Sequence, residues 1–219
     1  MVESRREKLR VSAKRGGRGR GVVPKDPQAG PADLDRLVTK ALPGGRERSR
    51  EVALHNLAAL AAADGDTMWG DSRIKRAVLL AAGATGRGGG KAPRGDEPSG
   101  SRHEALRVLS NLAASSGVRK PMWRCAQTRG VLLVHAGTAE AQPSSASAQA
   151  LGALANLATE TSNRRQMWTD PATRMVLLGG AGAAQPACVR EPALRALANL
   201  SAEASNRPSM GLPPLEPSD

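Results

Sequence analysis

Apolar residues in the third quarter of the chain recur with the period of an α-helix. Between residues 151 and 158 they occupy the positions i, i+3, i+4 and i+7, namely Leu151, Leu154, Ala155 and Ala158. This spacing puts one apolar stripe on a helix. Alanine, which favours helix, fills several of the positions between them. The pattern therefore predicts a long helix in this part of the chain.

Two shorter helices are predicted to follow the long one. Ser162 or Asn163 is predicted to cap a short helix that carries the Met167–Trp168 pair. Asp170–Pro171 has the order of an N-cap followed by a first-turn proline, and Gly179–Gly180 predicts the end of the helix that starts there. One long helix and two shorter ones make up the predicted unit.

The same unit recurs along the chain. Its copies begin with ALHNLAAL, ALRVLSNLA, ALGALANLA and ALRALANLS, which contain Leu54, Leu106, Leu151 and Leu194. These leucines are 52, 45 and 43 residues apart. The first interval is longer because residues 85–101, rich in Gly, Pro and charge, are predicted to form a loop insertion. A period of about 40 residues with two or three helices per unit predicts an α-solenoid of about four repeats.

The repeat domain is predicted to span residues 31–210. Its first helix presents an apolar face formed by Leu34, Leu37, Val38, Ala41 and Leu42. This face is typical of a partial first repeat. Residues 1–30 are predicted to be a disordered, basic Arg/Gly-rich tail, and residues 211–219 a flexible C-terminal tail. The predicted fold class is therefore all-α.

The recurring string A-L-x-x-L-x-N-L-A, followed by an asparagine, a short helix and a helix ending near glycine, resembles the armadillo repeats. The resemblance covers roughly residues 32–210. It implies a right-handed solenoid whose long helices line a concave groove. In that family, the asparagine of the string hydrogen-bonds the backbone of an extended peptide. The resemblance therefore implies a protein-interaction module.

Asparagine is rare in this chain, and its placement singles out two positions of the unit. Five of the six asparagines lie there: Asn111, Asn156 and Asn199 at one position, and Asn163 and Asn206 at the other. At about 100° per residue, Asn156 lies roughly 160° from the centre of the leucine stripe. We therefore predict that Asn111, Asn156 and Asn199 bind the partner's backbone. The alternative is that they tie each helix to its neighbour's loop, because buried polar groups need partners.

The residues four places before these asparagines share their face of the helix, and they are Arg107, Gly152 and Arg195. Nuclear-import adaptors of the armadillo family carry tryptophan there, so we do not expect recognition of basic nuclear-localisation peptides. Arginine favours an acidic partner instead, as in the basic groove of catenin-type members. Arg107 and Arg195 are thus predicted to bind an acidic peptide or protein together with the asparagines.

The three tryptophans also occupy one point of the unit. Trp69, Trp123 and Trp168 each follow a methionine, in a chain that has no phenylalanine and no tyrosine. One large ring per unit is predicted to fill the space between stacked helices. The alternative is an exposed aromatic ladder on which nucleic-acid bases stack.

The distribution of charge supplies a second functional hypothesis. The formal net charge is +12, and residues 1–50 hold 14 Lys and Arg against 6 Asp and Glu. Arg-Gly repeats at Arg15, Arg18 and Arg20 could follow the phosphates of a nucleic acid, so binding of RNA or another nucleic acid through the tail is the alternative function. Translation of a GC-rich gene would also enrich arginine, which leaves open a solvated tail without a specific partner.

Catalysis, metal binding and membrane insertion are not expected. The stretch GATGRGGGK departs from a phosphate-binding loop, because Thr85 stands where glycine is required and Ala92 follows Lys91. The three histidines and two cysteines lack the spacing of metal ligands, and no apolar run approaches the ~18 residues of a membrane span. We therefore expect a non-enzymatic protein, without cofactor or small-molecule substrate, in the cytoplasm or nucleus.

Overall fold

A computed structural model of the chain describes residues 31–44, 46–84, 99–137 and 145–214, and all regular elements within these ranges are helical. The α-helices are α1 (Pro31–Ala41), α2 (Glu47–Ala63), α3 (Gly65–Gly70), α4 (Ser72–Ala81), α5 (Ser99–Leu112), α6 (Ser116–Arg124), α7 (Ala126–Gly137), α8 (Ser145–Leu157), α9 (Thr161–Thr169), α10 (Pro171–Gly180) and α11 (Ala187–Ser201). A 3-10 helix, Pro208–Met210, follows. The all-α prediction is confirmed for this part of the chain.

Helices at the same place of successive units pack side by side. The long helices α2, α5, α8 and α11 each contact the next one in this order, and α4, α7 and α10 form a second such row. The short helices α3, α6 and α9 also contact one another in sequence. Helix α1 packs against α2 and α4, so it covers the first unit. Its apolar face is buried as predicted, with Val38 at 6% and Ala41 at 0% exposure.

The core is continuous along these rows and is built mainly from leucine and alanine. Leu54, Leu106 and Leu151, which occupy the same place of three units, are each 0% exposed. The three tryptophans are buried as well, with exposures of 6%, 2% and 4% for Trp69, Trp123 and Trp168. Their rings are therefore closed to nucleic-acid bases, and the core interpretation of the tryptophans is confirmed.

The helix boundaries of the third unit follow the sequence signals with one correction. Asp170 caps α10 as predicted, because its Oδ2 accepts a hydrogen bond from the backbone N–H of Thr173 at 3.1 Å. Neither Ser162 nor Asn163 caps α9, since both lie inside the helix. The cap is Glu160, whose Oε1 accepts from the N–H of Ser162 at 3.3 Å.

The glycine at the end of α10 has a packing role. A Cβ atom on Gly180 would lie 3.1 Å from the Cβ of Ala193 in α11 and 3.2 Å from a methyl group of Leu151 in α8. Three helices meet at this point, and a side chain there would push them apart. Gly180 therefore permits close packing between the third and fourth units.

The predicted segment boundaries shift at two places. Helix α5 begins at Ser99, so residues 99–101 belong to this helix and not to the predicted insertion 85–101. Ser101 is buried, and its N–H donates to Oε1 of Glu47 at 3.3 Å. After Met210, the backbone turns at Gly211 with φ of 70° and returns to Arg207, whose Nε donates to the carbonyl of Pro213. Residues 85–98, 215–219 and the predicted tail 1–30 lie outside the described residues.

Candidate functional site

The predicted partner-binding asparagines lie on α5, α8 and α11, and each amide is hydrogen-bonded to the long helix of the preceding unit. In all three, Nδ2 donates to a backbone carbonyl. The bonds run from Asn111 to Ala58 (2.8 Å), from Asn156 to Ser110 (3.1 Å) and from Asn199 to Ala155 (3.0 Å). In each case the acceptor residue directly precedes the position that corresponds to the asparagine in the preceding unit. This constant register shows that the four long helices are packed in parallel.

These bonds give the asparagines a structural role, as the alternative interpretation proposed, but they reach the neighbouring helix and not its loop. Each amide still has hydrogen-bonding groups that these bonds do not occupy. All three side chains are half-buried, and within the described ranges Oδ1 and the second N–H of each amide have no hydrogen-bond partner. One bond to the neighbouring helix fixes the orientation of each amide, which leaves one acceptor and one donor for another molecule.

The arginines predicted beside the asparagines differ in their surroundings. Nη1 of Arg107 lies 3.4 Å from the carboxylate of Glu104, a residue that is only 8% exposed, and Nη2 of Arg107 lies 3.3 Å from Nδ1 of His55 in α2. Its charge is therefore compensated within the protein. Arg195 is exposed and has no ion-pair or hydrogen-bond partner among the described residues. Between them Gly152 is buried, and a Cβ there would lie 3.3 Å from Oγ of Ser110.

The second pair of asparagines is almost fully buried. Asn163 in α9 and Asn206 after α11 are each 1% exposed. Each Nδ2 donates to two carbonyls, one near the end of the long helix of its own unit and one in the preceding unit. The acceptors are Leu157 (3.1 Å) and Arg119 (3.1 Å) for Asn163, and Leu200 (3.0 Å) and Arg164 (3.2 Å) for Asn206. These asparagines hold the turn of their own unit against the unit before it.

A recurring arginine that the sequence analysis missed lies one residue after this position. Nε and Nη2 of Arg164 donate to the carbonyls of Ala158 (3.2 Å) and Thr159 (3.0 Å), and Arg119 makes the matching bonds to Ala113 (3.3 Å) and Ala114 (2.6 Å). Arg207 donates to Ser201 at 3.3 Å in the same way. These carbonyls lie at or just after the end of each long helix, where intrahelical donors run out. The recurrence of Arg119, Arg164 and Arg207 at one repeat position was the signal that could have identified them.

A cation also lies over each buried tryptophan. The charged groups of Lys75, Arg129 and Arg174 are 4.6, 5.4 and 5.7 Å from the ring centres of Trp69, Trp123 and Trp168. Each follows its tryptophan by six residues. The structural equivalent of Arg129 and Arg174 in the first unit is therefore Lys75, although the strings RAVLL, RGVLL and RMVLL align Arg76 with them. Matching the three strings by their letters therefore misaligns the first unit by one residue.

Two carboxyl groups and one histidine have shifted pKa values with clear causes. The side-chain hydrogen bond from Arg73 lowers the pKa of the N-cap Asp71, and the hydrogen bond from the Ser162 hydroxyl lowers the pKa of the N-cap Glu160. Burial lowers the pKa of His135, whose Nε2 lies 2.8 Å from the carbonyl oxygen of Ala82. The two carboxyl groups stabilise helix starts, and His135 lies between α7 and the end of α4.

The outer side of α10 and α11 is apolar. Leu194 is 49% exposed, although the same position is fully buried in the three earlier units, and Leu178 is 52% exposed. A cavity of about 530 Å³ opens beside Leu178. Its walls are formed by Trp168, Arg174, Leu178, Leu197, Ser209, Met210 and Leu212. No further described helix covers this face.

The remaining predictions concern the basic tail, metal binding and membrane insertion. The tail residues Arg15, Arg18 and Arg20 lie outside these ranges. Inside them, no three His, Cys, Asp or Glu side chains are grouped to hold a metal ion. Nor does this part of the chain contain a helix with the length and apolarity that crossing a bilayer requires.

Comparison with known proteins finds a similar fold in two engineered proteins. No family model and no curated protein matches the chain. Two crystal structures of engineered proteins from the Northeast Structural Genomics Consortium are similar to it. The first has a TM-score of 0.57 at 21% identity over 78% of this chain and 63% of the other. The second has a TM-score of 0.56 at 21% identity over 77% of this chain and 38% of the other.

The chain spans less than two thirds of either engineered protein. At 21% identity, the similarity concerns the fold alone. The armadillo resemblance therefore stays a prediction from the repeated string.

Proposed function

We propose that the chain is a non-catalytic protein-interaction module, an armadillo-like right-handed solenoid of about four units that binds an extended polypeptide along α5, α8 and α11. One observation supports this function above the others. Asn111, Asn156 and Asn199 form a row of half-buried amides, each held by one bond to the preceding helix and each with a donor and an acceptor to spare.

An extended polypeptide suits the spacing of this row. Neighbouring packed helices lie about 8–10 Å apart, and an extended chain advances about 3.3 Å per residue. One unit therefore corresponds to about three ligand residues. Backbone N–H and C=O groups recur along the ligand whatever its sequence, so a row of amides can bind it without reading every side chain.

The arginines give this surface a preference for acidic ligands that is strongest at α11. Arg195 is exposed and unpaired among the described residues, whereas Arg107 already interacts with Glu104. An acidic residue that binds near Arg107 must compete with a carboxylate of the protein. We therefore expect the acidic side chains of the ligand to lie near Arg195.

Selection from a displayed library of peptides about nine residues long, which is about three per unit over the three units that carry the asparagines, tests the proposal. The recovered peptides should be enriched in Asp and Glu and should bind the full chain in a fluorescence titration. Arg195→Glu should weaken the binding at least tenfold, because one attraction becomes a repulsion. The matched control is Arg76→Glu, which makes the same change at an exposed arginine of α4.

Thermal unfolding should be nearly the same for both variants, since neither arginine has a partner among the described residues. Equal loss of peptide binding in the two variants would place the site away from α11. If no peptide were enriched, the surface along α5, α8 and α11 would not be a peptide site.

A further inference from the structure

The excess positive charge of the chain is concentrated in two places. Residues 1–30 hold nine Lys and Arg against three Asp and Glu, and residues 116–137 and 160–180 together hold seven against two. The rest of the chain is nearly balanced, with 16 basic and 15 acidic residues. Outside residues 1–30, helices α6, α7, α9 and α10 therefore carry almost all of the net charge.

These seven cations form what we call the basic patch: Arg119, Lys120, Arg124, Arg129, Arg164, Arg165 and Arg174. Six of them are three matched pairs, because the second and third units carry a cation at the same three positions. Helix α6 contacts α9, and α7 contacts α10. The two sets of cations are therefore neighbours, separated by about the 8–10 Å between packed helices.

The basic patch is not neutralised by the protein itself. Its two acidic neighbours in sequence, Glu160 and Asp170, are the N-caps of α9 and α10 and accept hydrogen bonds from backbone N–H groups there. Lys120 and Arg119 act on Glu160 only through space, where they help to lower its pKa. None of the seven cations forms an ion pair within the described ranges, and Lys120, Arg124, Arg165 and Arg174 are exposed.

Four of the guanidinium groups are held in place before any ligand arrives. Arg119 and Arg164 are fixed by their bonds to the carbonyls that follow α5 and α8. Arg129 and Arg174 lie over the rings of buried tryptophans. A ligand that binds these groups orders few additional side chains, which lowers the entropic cost of binding.

The chemistry of the basic patch favours a chain of phosphates. It offers guanidinium groups at regular intervals, and the planar fork of arginine matches phosphate oxygens. The aromatic rings beneath are buried, so they cannot stack bases. On the side of the first unit the patch ends at acidic residues, since Asp66 of α3 lies against Gly117 at the start of α6.

We propose that the basic patch binds the phosphate backbone of a nucleic acid, independently of its base sequence. The binding is electrostatic and therefore strongly dependent on salt. It is separate from the polypeptide surface along α5, α8 and α11, and it is formed by folded residues, in contrast to the tail.

The test uses the full chain and a fluorescein-labelled, mixed-sequence single-stranded RNA. The patch variant is Lys120→Gln, Arg124→Gln and Arg165→Gln together, three exposed cations without a described partner. The control variant is Lys40→Gln, Arg48→Gln and Arg76→Gln, which removes the same charge from exposed positions of α1, α2 and α4. Circular dichroism should show the same helical content for both.

The patch variant should bind the RNA at least tenfold more weakly than the control. The patch variant loses three phosphate contacts, and each contributes about 0.7 to the slope of log affinity against log salt. The slope should therefore become shallower by about 2. Equal weakening in both variants would show that only the net charge matters and would overturn the assignment. Polyglutamate of matched length is the second probe. If it binds as tightly as the RNA and loses as much in the patch variant, the surface recognises acidic polypeptides and the nucleic-acid proposal is wrong.

Discussion

Replacing the buried Asn163 by alanine should destabilise the fold more than replacing the half-buried Asn156. Asn163→Ala deletes two hydrogen bonds at a site that is 1% exposed. At about 0.5–1.5 kcal/mol for each bond, the free energy of unfolding should fall by about 1–3 kcal/mol. Asn156→Ala deletes one bond at a half-buried site where water can replace the lost partner. We expect a loss of about 0.5 kcal/mol, at the low end for one bond.

Urea unfolding of the full chain, followed by circular dichroism at the helical bands, measures both losses. A constant slope of free energy against urea would show that the variants unfold from the same folded state. Asn206→Ala is the internal check, because Asn206 makes the same two kinds of bond one unit further along. It should resemble Asn163→Ala and not Asn156→Ala.

The relative size of the two stability losses shows whether the Asn156 amide mainly joins helices or is available to bind a partner. A loss for Asn156→Ala as large as that for Asn163→Ala would mean that the first row of asparagines is needed mainly to join the units. The proposed polypeptide surface would then lose its main support. With the expected ranking, Asn156→Ala stays folded, and any loss of peptide affinity can be assigned to the surface itself.

Three further predictions follow from burial, pKa and charge. Leu151→Ala should lower the free energy of unfolding by about 2–5 kcal/mol, as measured in urea. Leu194→Ala, at the same position of the next unit, should lower it by less than about 1 kcal/mol, because Leu194 is 49% exposed. Equal losses would refute the burial argument. Burial lowers the pKa of His135, so the unfolded chain binds more protons below about pH 6.5. The free energy of unfolding should therefore fall on acidification through that pH, and His135→Gln should flatten the dependence; an unchanged profile would contradict it. Replacing Arg15, Arg18 and Arg20 by alanine should lower but not abolish RNA binding, as measured by fluorescence anisotropy, because the basic patch is intact; complete loss would leave the patch without a role.

Local signals in the sequence predicted the helices well, because they act within a few residues of each other. The spacing of Leu151 and Leu154 on α8 and the order Asp170–Pro171 at the start of α10 are of this kind. The boundary at Ser99 was missed because the Gly- and Ser-rich composition of residues 99–101 indicates a loop. Ser101 is helical because it is buried and bonded to Glu47 of the preceding long helix.

The partners of the asparagines could not be predicted from one helix alone. Helical geometry turns Asn156 away from the leucines, but it cannot say whether solvent or another helix lies in that direction. The structure places the carbonyl of Ser110 there. The role of Arg164 was hidden for the same reason, since its acceptors belong to the turn after α8 and become available only when the unit folds.

Positions that recur in the units and positions that differ have separate roles in this chain. Recurring polar residues join helices in more than one unit, since Asn163 has a counterpart in Asn206 and Arg164 has counterparts in Arg119 and Arg207. The position occupied by Arg107, Gly152 and Arg195 differs in each unit: one arginine is paired with Glu104, one residue has no side chain, and one arginine is unpaired in the described ranges. Under the proposed function, selectivity for a partner comes from such differences, because a contact that recurs cannot distinguish one part of a ligand from another. The surface of α11 is therefore where this chain should distinguish one polypeptide from another.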